Sequence, residues 1–398
     1  MKQITELKVK PDFVRYYKNN YPLISKDMIT NPDALGKEGE MVHLVDSGGQ
    51  FLAKGYHGNQ NKGLGWVLSF KEGEKIDAVF FRDRILTAMN KRQSYYQDEN
   101  TTAFRIFNGE GDGIGGLTID YFDGYYLISW YSEGIYAFKD KVIAVLDELG
   151  DYKAIYEKRR FDSKGQYIDG DDFVKGERGE FPIIIKENGM NYAIYLDDGA
   201  MVGIFLDQRD VRKAIRDKYA KDKNVLNTFS YTGAFSVAAA LGGAAKTTSV
   251  DLAKRSKSKT IEQFSVNGID FEQQDIIVMD VFDYFKYAQR KELKFDLIVL
   301  DPPSFARSKK HTFSTAKDYP ALVKDTLAIT EKNGVIIAST NNASFNMKKF
   351  KGFVEKGFRE SNVSYKILEE FSLPMDFQTN KDYRQGNYLK VLIIQKVN

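Results

Sequence analysis

The stretch VLNTFSYTGAFSVAAALGGAAKTTSVD, Val225–Asp251, decides the fold of this 398-residue chain. An apolar run ends at Phe229, a tight turn contains Gly233, and a helix of small residues leads to a second apolar run that ends at Asp251. This order is typical of a βαβ unit with parallel strands. The turn exposes N–H groups at a helix start, and a carboxylate about 20 residues later can accept hydrogen bonds from both ribose hydroxyls. The stretch therefore predicts a nucleoside site.

The turn lacks the glycines that a dinucleotide requires. Asn227, Ser230 and Tyr231 stand where the G-x-G-x-x-G pattern would have further glycines, and a pyrophosphate needs that close approach of the backbone. A ligand without phosphate does not need it. The pattern therefore favours the methyl donor S-adenosylmethionine over NAD, with a turn that binds nothing as the simpler alternative.

The segment VMDVFDYF places Asp280 just after a third apolar run, followed by Val281 and Phe282. The carboxylate there can accept a hydrogen bond from the amino group of adenine, while the apolar neighbours cover the ring. An Asp at such a position is also a common helix N-cap, so the pattern leaves both roles open.

The segment FDLIVLDPPSFARSKK delivers Asp301 to the carboxyl edge of the predicted sheet. Pro302 and Pro303 then stiffen the loop, and Phe305 follows as a ring that can stack on an extruded base. Asp-Pro-Pro with a nearby aromatic is typical of methyltransferases that act on nitrogens or ring atoms of bases. Three basic residues follow as candidate phosphate contacts: Arg307, Lys309 and Lys310. The alternative is a rigid loop with a solvated basic tail.

From residue 183 onward, predicted strands alternate with predicted helices, one of them over Arg209–Tyr219. This alternation predicts an α/β domain with a Rossmann-like, doubly wound sheet that is closed by an antiparallel terminal pair. In GIFLDQRDVRK, Phe205, Asp207 and Arg209 lie at a helix start. Asp207 suits an N-cap, and Arg209 can pair with the carboxylate of the donor; capping alone is the alternative.

The first 72 residues form a predicted small β-barrel or open sheet, with a hairpin over Met41–Val45 and Phe51–Tyr56. Upstream, cations including Lys10 and Arg15 alternate with aromatic residues, which suits phosphate contact with base stacking, although a solvated helix with core aromatics is the alternative. Residues 73–182 form a predicted α+β middle domain, with a helical pattern from Ile76 to Gln97. The predicted domains are thus 1–72, 73–182 and 183–398.

Composition limits the chemistry. The chain has no cysteine and three histidines, which excludes disulfides, cysteine-bound metals and thiol nucleophiles and argues against a metal site. The net charge of +3 does not by itself indicate a nucleic-acid partner. No apolar run is long enough to span a membrane, and the N-terminal residues do not form a signal peptide, so we expect no membrane contact and a cytoplasmic location.

Several motifs together resemble a known family: GIFLDQR, NTFSYTGAFSVAAALGGA, the Asn267–Gly268 pair, DPPSFARSK and GNYLKVLIIQ. They resemble bacterial class I S-adenosylmethionine-dependent large-subunit ribosomal RNA methyltransferases, above all the (cytosine-5) family with an N-terminal PUA domain, over essentially the whole chain. The resemblance implies that the PUA domain (1–72) binds RNA and that Gly233, Asp251, Asp280 and Asp301 bind the donor. The full set of candidate donor-binding residues is Phe205, Asp207, Arg209, Asn227, Phe229, Thr232, Gly233, Asp251, Asn267, Asp280, Val281 and Asp301.

One departure from that family concerns the reaction. Methylation of cytosine C5 needs a thiolate that attacks C6, and the family resembled has a cysteine after the strand that here reads GVIIAST, where this chain has no cysteine at all. The string STNNASFNMKKF instead resembles the ribosomal RNA (guanine-N7) methyltransferases. Guanine N7 carries a free lone pair and needs no covalent step. Asn341 and Asn342 can then bind base edges, with an ordinary turn as the alternative.

Three functions compete at this stage. The first is a methyltransferase acting on a base of large-subunit ribosomal RNA, with Asp301, Pro302, Pro303 and Phe305 as candidate catalytic residues. The second is an RNA-binding or ribosome assembly factor that has lost catalysis, and the third is a nicotinamide oxidoreductase, which the missing glycines disfavour. A homodimer is possible in each case.

Overall fold

The computed structural model describes residues 4–60, 63–161, 171–307 and 312–398. The chain forms two compact units. The first comprises Met1–Ile183, Tyr195–Val202 and Met375–Gly386, and the second comprises Ile184–Ile194, Gly203–Pro374 and Asn387–Asn398. Among the described helices, none is long and apolar enough to cross a membrane.

The first unit begins with a five-stranded sheet in the order β1-β3-β4-β5-β2. The predicted hairpin is confirmed, with β3 and β4 antiparallel around an Asp46 whose Oδ1 accepts from two backbone N–H groups of the turn. The elements are β1 (Thr5–Lys8), α1 (Val14–Lys18), β2 (Leu23–Ile24), β3 (Met41–Val45), β4 (Phe51–Gln60) and β5 (Gly63–Ser69).

A second five-stranded sheet completes the first unit, in the order β10-β9-β8-β7-β6. One apolar core extends across the strands of both sheets, and the proposed boundary at residue 72 stays a prediction. The predicted helix over Ile76–Gln97 is divided in two, α2 and α3. The elements are α2 (Ala78–Lys91), α3 (Gln93–Tyr96), β6 (Ala103–Asn108), β7 (Leu117–Phe122), β8 (Tyr125–Trp130), α4 (Glu133–Tyr136), α5 (Lys139–Leu149), β9 (Ala154–Arg159) and β10 (Phe173–Gly176).

The second unit contains a seven-stranded sheet in the order β15-β14-β13-β16-β19-β21-β20. The first five strands in this order are parallel, and β21 is antiparallel to both of its neighbours, as predicted for a doubly wound sheet closed by a terminal pair. The strands are β13 (Asn224–Thr228), β14 (Lys246–Asp251), β15 (Asp275–Val278), β16 (Phe295–Leu300), β19 (Thr330–Thr340), β20 (Tyr365–Phe371) and β21 (Lys390–Lys396).

Helices and two small hairpins surround this sheet. The predicted helix over Arg209–Tyr219 is shorter than expected, since α6 ends at Ala214 and a π-helical turn follows. The hairpins pair β11 (Ile183–Glu187) with β12 (Met190–Ile194) and β17 (Phe305–Arg307) with β18 (Thr312–Ser314). The helices are α6 (Arg209–Ala214), α7 (Ala234–Leu241), α8 (Lys254–Ser265), α9 (Val281–Arg290), α10 (Thr315–Leu327) and α11 (Met347–Glu360).

The order of the strands places a crevice at the carboxyl ends of β13 and β16. From β13 the chain moves outward through β14 to β15, and it then returns to the other side of β13 as β16. The connections after β13 and β16 therefore lead in opposite directions and leave a gap between them. Ligands of open α/β sheets bind at such a switch point.

Candidate functional site

A cavity of ≈ 370 Å³ lies at this crevice, within the second unit. Its volume is in the range of small-molecule sites. The loops that follow β13, β14, β15, β16 and β19 all contribute to its wall. The lining residues are Ile204, Phe205, Asp207, Gln208, Arg212, Phe229, Ser230, Tyr231, Thr232, Ala234, Phe235, Asp251, Leu252, Asp280, Val281, Phe282, Asp301, Pro302, Pro303, Asn341 and Leu389.

The turn between β13 and α7 is strained. Phe229 and Tyr231 have φ of 53° and 51°, and Gly233 has φ of 81°. Bulky residues avoid this left-handed region, and strain of this kind concentrates at functional sites. The turn is held in place because Tyr231 N donates to Asp251 Oδ2 at 2.8 Å and Ser256 Oγ donates to Tyr231 O at 2.6 Å. The strained backbone therefore forms one fixed wall of the cavity.

Two carboxylates at neighbouring strand ends face this wall. Besides Tyr231 N, Asp251 accepts from Ala253 N through Oδ1 at 2.8 Å, and each of its oxygens keeps a second lone pair. Asp280 Oδ1 accepts from Phe282 N at 2.9 Å and so caps α9. Asp280 therefore serves as an N-cap and also lines the cavity, and its contact with an adenine amino group stays a prediction. The pair can accept hydrogen bonds from hydroxyl and amino groups of a nucleoside.

A partly buried polar network surrounds Asp301. Gln208 Nε2 donates to Ser339 Oγ at 2.8 Å and to Asp301 Oδ1 at 3.3 Å, and Tyr388 OH donates to Asp207 Oδ2 at 2.9 Å. Burial raises the pKa of Asp301 to about 6; hydrogen bonds from Ser339 and Gln208 oppose this, and the Asp207 carboxylate adds to it. The Asp301 side chain is consequently ionised for the most part at neutral pH, at a cost to the folded state.

Two polar atoms in the wall lack a protein partner. Gln208 Oε1 and Ser230 Oγ are buried and accept or donate no hydrogen bond within the described chain. Buried polar atoms are costly unless they are paired. A polar ligand in the cavity can satisfy both, so the residues present fit a nucleoside donor with hydroxyl and amino groups.

Arg212 is a cavity residue that the sequence motifs missed. It is buried, donates to both Glu187 oxygens at 2.7 Å, and donates to Phe205 O at 2.7 Å. Burial alone would lower the pKa of Arg212, but the adjoining Glu187 carboxylate raises it by more. The signal was available, since Gln208 and Arg212 are four residues apart and share one face of a helix.

Four candidate donor-binding residues do not line the cavity. Asn227 donates to Ser236 Oγ at 3.0 Å behind the wall, and Asn267 has its amide engaged with Asn191 and Gln263. Gly233 supports the turn, because a Cβ there would lie 2.6 Å from Thr260 Cγ2. Arg209 is buried at the start of α6. The geometry gives these four residues supporting positions, and their direct contact with the donor stays a prediction.

Three of the four candidate catalytic residues line the cavity, and one does not. Pro302 and Pro303 line the cavity with Asp301, whereas Phe305 lies beyond them on β17 and is 63% exposed. Asn341 lines the cavity, and its Oδ1 accepts from Ser304 Oγ at 2.7 Å.

The other described candidate RNA-binding residues are not among those that line the cavity. In the second unit, Asn342 Oδ1 accepts from Ser344 N. In the first unit, Lys10 Nζ donates to Asp27 O at 2.7 Å and Arg15 is exposed. Lys309, Lys310 and the side chain of Arg307 lie outside the described residues.

Comparison with known proteins agrees with this geometry. A family model described as S-adenosylmethionine-dependent methyltransferase matches residues 105–394, which is most of the chain. The chain belongs to this family. Residues 7–70 match the model of a PUA-like domain. The predicted use of S-adenosylmethionine is thereby confirmed, and the oxidoreductase alternative is discarded.

Relatives of the methyltransferase match over its full length. It is 63% identical over 381 residues to the "Putative ribosomal RNA large subunit methyltransferase YwbD" of Bacillus subtilis, covering 95% of this chain and 96% of the relative. It is 29% identical over 374 residues to "Ribosomal RNA large subunit methyltransferase I" of Klebsiella pneumoniae, covering 93% of each.

Solved structures agree with the fold. The protein titled "Crystal structure of SMU.776, a putative methyltransferase complexed with SAH" has a TM-score of 0.91 at 40% identity and covers 99% of this chain and 100% of that one. The Trm5b structure from Pyrococcus abyssi shares the fold at a TM-score of 0.52 and 15% identity, covering 70% and 75%.

Proposed function

We propose that this methyltransferase transfers the methyl group of S-adenosylmethionine to a base of large-subunit ribosomal RNA. The names of the full-length relatives support the substrate class, and the PUA-like match over residues 7–70 supports an RNA partner. One observation of the site carries the proposal: Asp251, Asp280 and the Asp301–Pro303 corner line a single cavity.

The residues that line the cavity then have separate roles in binding and transfer. Asp251 accepts from the ribose hydroxyls of the donor, and Asp280 accepts from its adenine amino group. S-adenosylmethionine, when bound, supplies an activated methyl group. The rigid Asp301–Pro303 corner positions the base edge, and the exposed Phe305 ring is available for stacking. Orientation and exclusion of water supply the acceleration.

We infer that the acceptor is guanine N7. The full sequence contains no cysteine, so no thiolate can attack the pyrimidine ring. Guanine O6 is a hydrogen-bond acceptor, so its recognition needs a donor, while the N7 lone pair stays free to attack the methyl group. Asn341 supports this inference, because its Oδ1 is engaged by Ser304 and its amide nitrogen stays available at the cavity wall. The N7 lone pair can attack the methyl group without a base.

The test uses labelled S-adenosylmethionine with unmodified large-subunit ribosomal RNA, followed by mass spectrometry of the nucleosides. We expect 7-methylguanosine with the wild type and none with Asp251→Ala. 5-Methylcytidine would refute the N7 assignment and keep the enzyme class. Donor binding without incorporation into RNA would instead favour the assembly factor.

A further inference from the structure

Two groups of exposed cations flank the cavity. The α8 cations are Lys254, Arg255 and Lys257, and the α11 lysines are Lys348 and Lys349. All five are exposed, and none forms an ion pair with another described residue.

Both groups begin close to the cavity wall in the chain. Lys254 follows Asp251 and Leu252, which line the cavity, after one further residue. The start of α8 is also tied to the wall, because Ser256 Oγ donates to Tyr231 O at 2.6 Å. The α8 cations therefore begin next to the cavity wall.

The loop from Asn341 leads to α11 on the other side. Lys390 Nζ donates to Asn342 O at 3.0 Å, and Asn346 Oδ1 accepts from Lys349 N at 3.0 Å. The loop is thus fixed at both ends, and it presents the α11 lysines at the same carboxyl edge as the cavity. Phe345 and Phe350 anchor it in the core.

The two groups lie on opposite faces of the sheet. The connections through α7 and α8 run in one direction across it, and those through α9, α10 and α11 run in the other. Because crossovers between parallel strands are right-handed, the two sets cover opposite faces. The strands that precede α8 and α11, β14 and β19, are three strand spacings apart, which is roughly 14 Å. The cavity lies between them.

The positions of these cations are unfavourable for the helices themselves. The N-terminus of a helix carries partial positive charge, so cations in the first turn oppose the macrodipole. Neither α8 nor α11 has an acidic residue in its first turn, and the N-cap of α8, Ala253, makes no side-chain cap. By contrast α9, which starts at the same edge, is capped by Asp280 and carries Asp283. A polyanion would offset these charges.

We propose that the α8 cations and the α11 lysines hold the phosphates on the two sides of the nucleotide that enters the cavity. This inference rests on the proposed function and names a phosphate-binding surface for it. The chemistry of the surface fits a single-stranded RNA backbone.

The test measures binding of an unmodified large-subunit ribosomal RNA transcript at several salt concentrations. Each lost phosphate contact lowers the slope of log K against log salt by about 0.7 for single strands. We expect a reduction of about 2 for Lys254→Ala/Arg255→Ala/Lys257→Ala and about 1.4 for Lys348→Ala/Lys349→Ala. Lys348→Arg/Lys349→Arg retains the charges and should retain the slope.

The control is Lys291→Ala/Lys332→Ala, which removes two exposed cations near the amino ends of the parallel strands, opposite the cavity. It should leave the slope unchanged. Calorimetry with S-adenosylhomocysteine should give wild-type affinity for every variant. If both test variants keep the wild-type slope while the wild type transfers methyl groups, the phosphate-binding inference is overturned and the proposed function is not. Absence of methyl transfer by the wild type would count against the proposed function instead.

Discussion

Asp301→Asn should make the second unit more stable while it impairs methyl transfer. Burial raises the pKa of Asp301 from 3.8 to about 6, a difference of 2.2. At 1.36 kcal/mol for each pKa unit, ionisation in the folded state costs about 3 kcal/mol above pH 6. The carboxyl group of Asp301 loses its proton near pH 4 in the unfolded chain and near pH 6 in the folded chain. The free energy of unfolding therefore falls as the pH rises from 4 to 6. Asparagine cannot ionise and avoids this loss.

The gain in stability should therefore depend on pH. Linkage gives an advantage of Asp301→Asn over wild type of about 1 kcal/mol at pH 4.5 and about 3 kcal/mol at pH 8. Both tryptophans, Trp66 and Trp130, lie in the first unit. The readout is consequently hydrogen exchange of β16 peptides during urea unfolding, which reports on the second unit.

The control for this experiment is Asp222→Asn. Asp222 is exposed in the same unit and has φ of 59°, which asparagine tolerates. Because its side chain is exposed, this substitution removes no burial cost, and we expect little change in the free energy of unfolding. An Asp301→Asn advantage that is equal at pH 4.5 and pH 8 would refute the reasoning, because the effect would then come from packing and not from the buried charge.

Two further predictions concern the walls of the cavity. Gly233→Ala should lower donor affinity and should destabilise the chain by about 1 kcal/mol or more beyond the control Gly268→Ala. Both glycines have positive φ, but only at Gly233 would an added Cβ meet a neighbour within 4 Å. Calorimetry measures the affinity and thermal unfolding measures the stability, and equal effects of the two substitutions would contradict the prediction. Arg212→Met should lower the free energy of unfolding by about 3–5 kcal/mol, because it leaves the buried Glu187 carboxylate without its cation. The double variant Arg212→Met/Glu187→Leu should recover most of that loss in urea unfolding. A double variant as unstable as Arg212→Met would contradict the prediction.

The parallel core of the second unit was predictable because its signals are local. The apolar runs that lead to Asp251 and Asp301 are bounded by turns, and β14 and β16 end at Asp251 and at Leu300, directly before Asp301. Long-range contacts were not predictable in this way. Arg92 is buried against Asp112 and also donates to Asp376 O, 284 residues away, and no periodicity near Asp376 indicates such a partner.

The candidate site shows the same division. Asp280 and Asp301 were found because each follows a recognisable strand, and both line the cavity. Gln208 lies just before α6 and Arg212 lies on it, and this helix precedes β13 in the chain, so their place in the cavity wall depends on tertiary packing. Asn267 has a conspicuous sequence context, yet its amide is used by the neighbouring hairpin. Sequence patterns identify strand ends well, and they do not reveal which polar side chains are already engaged.

Several features that weaken the free chain lie around the cavity. Phe229 and Tyr231 have left-handed backbones, Asp301 is ionised at a cost, and Gln208 Oε1 and Ser230 Oγ lack partners. A chain optimised for stability alone would remove each of them. A bound donor that forms hydrogen bonds with these groups offsets part of that cost. It stabilises the folded state by RT ln(1 + [L]/Kd), where [L] is the concentration of free donor and Kd is its dissociation constant. Donor binding should therefore protect β13, β14 and β16 from hydrogen exchange more than it protects β20, which lies at the far edge of the same sheet.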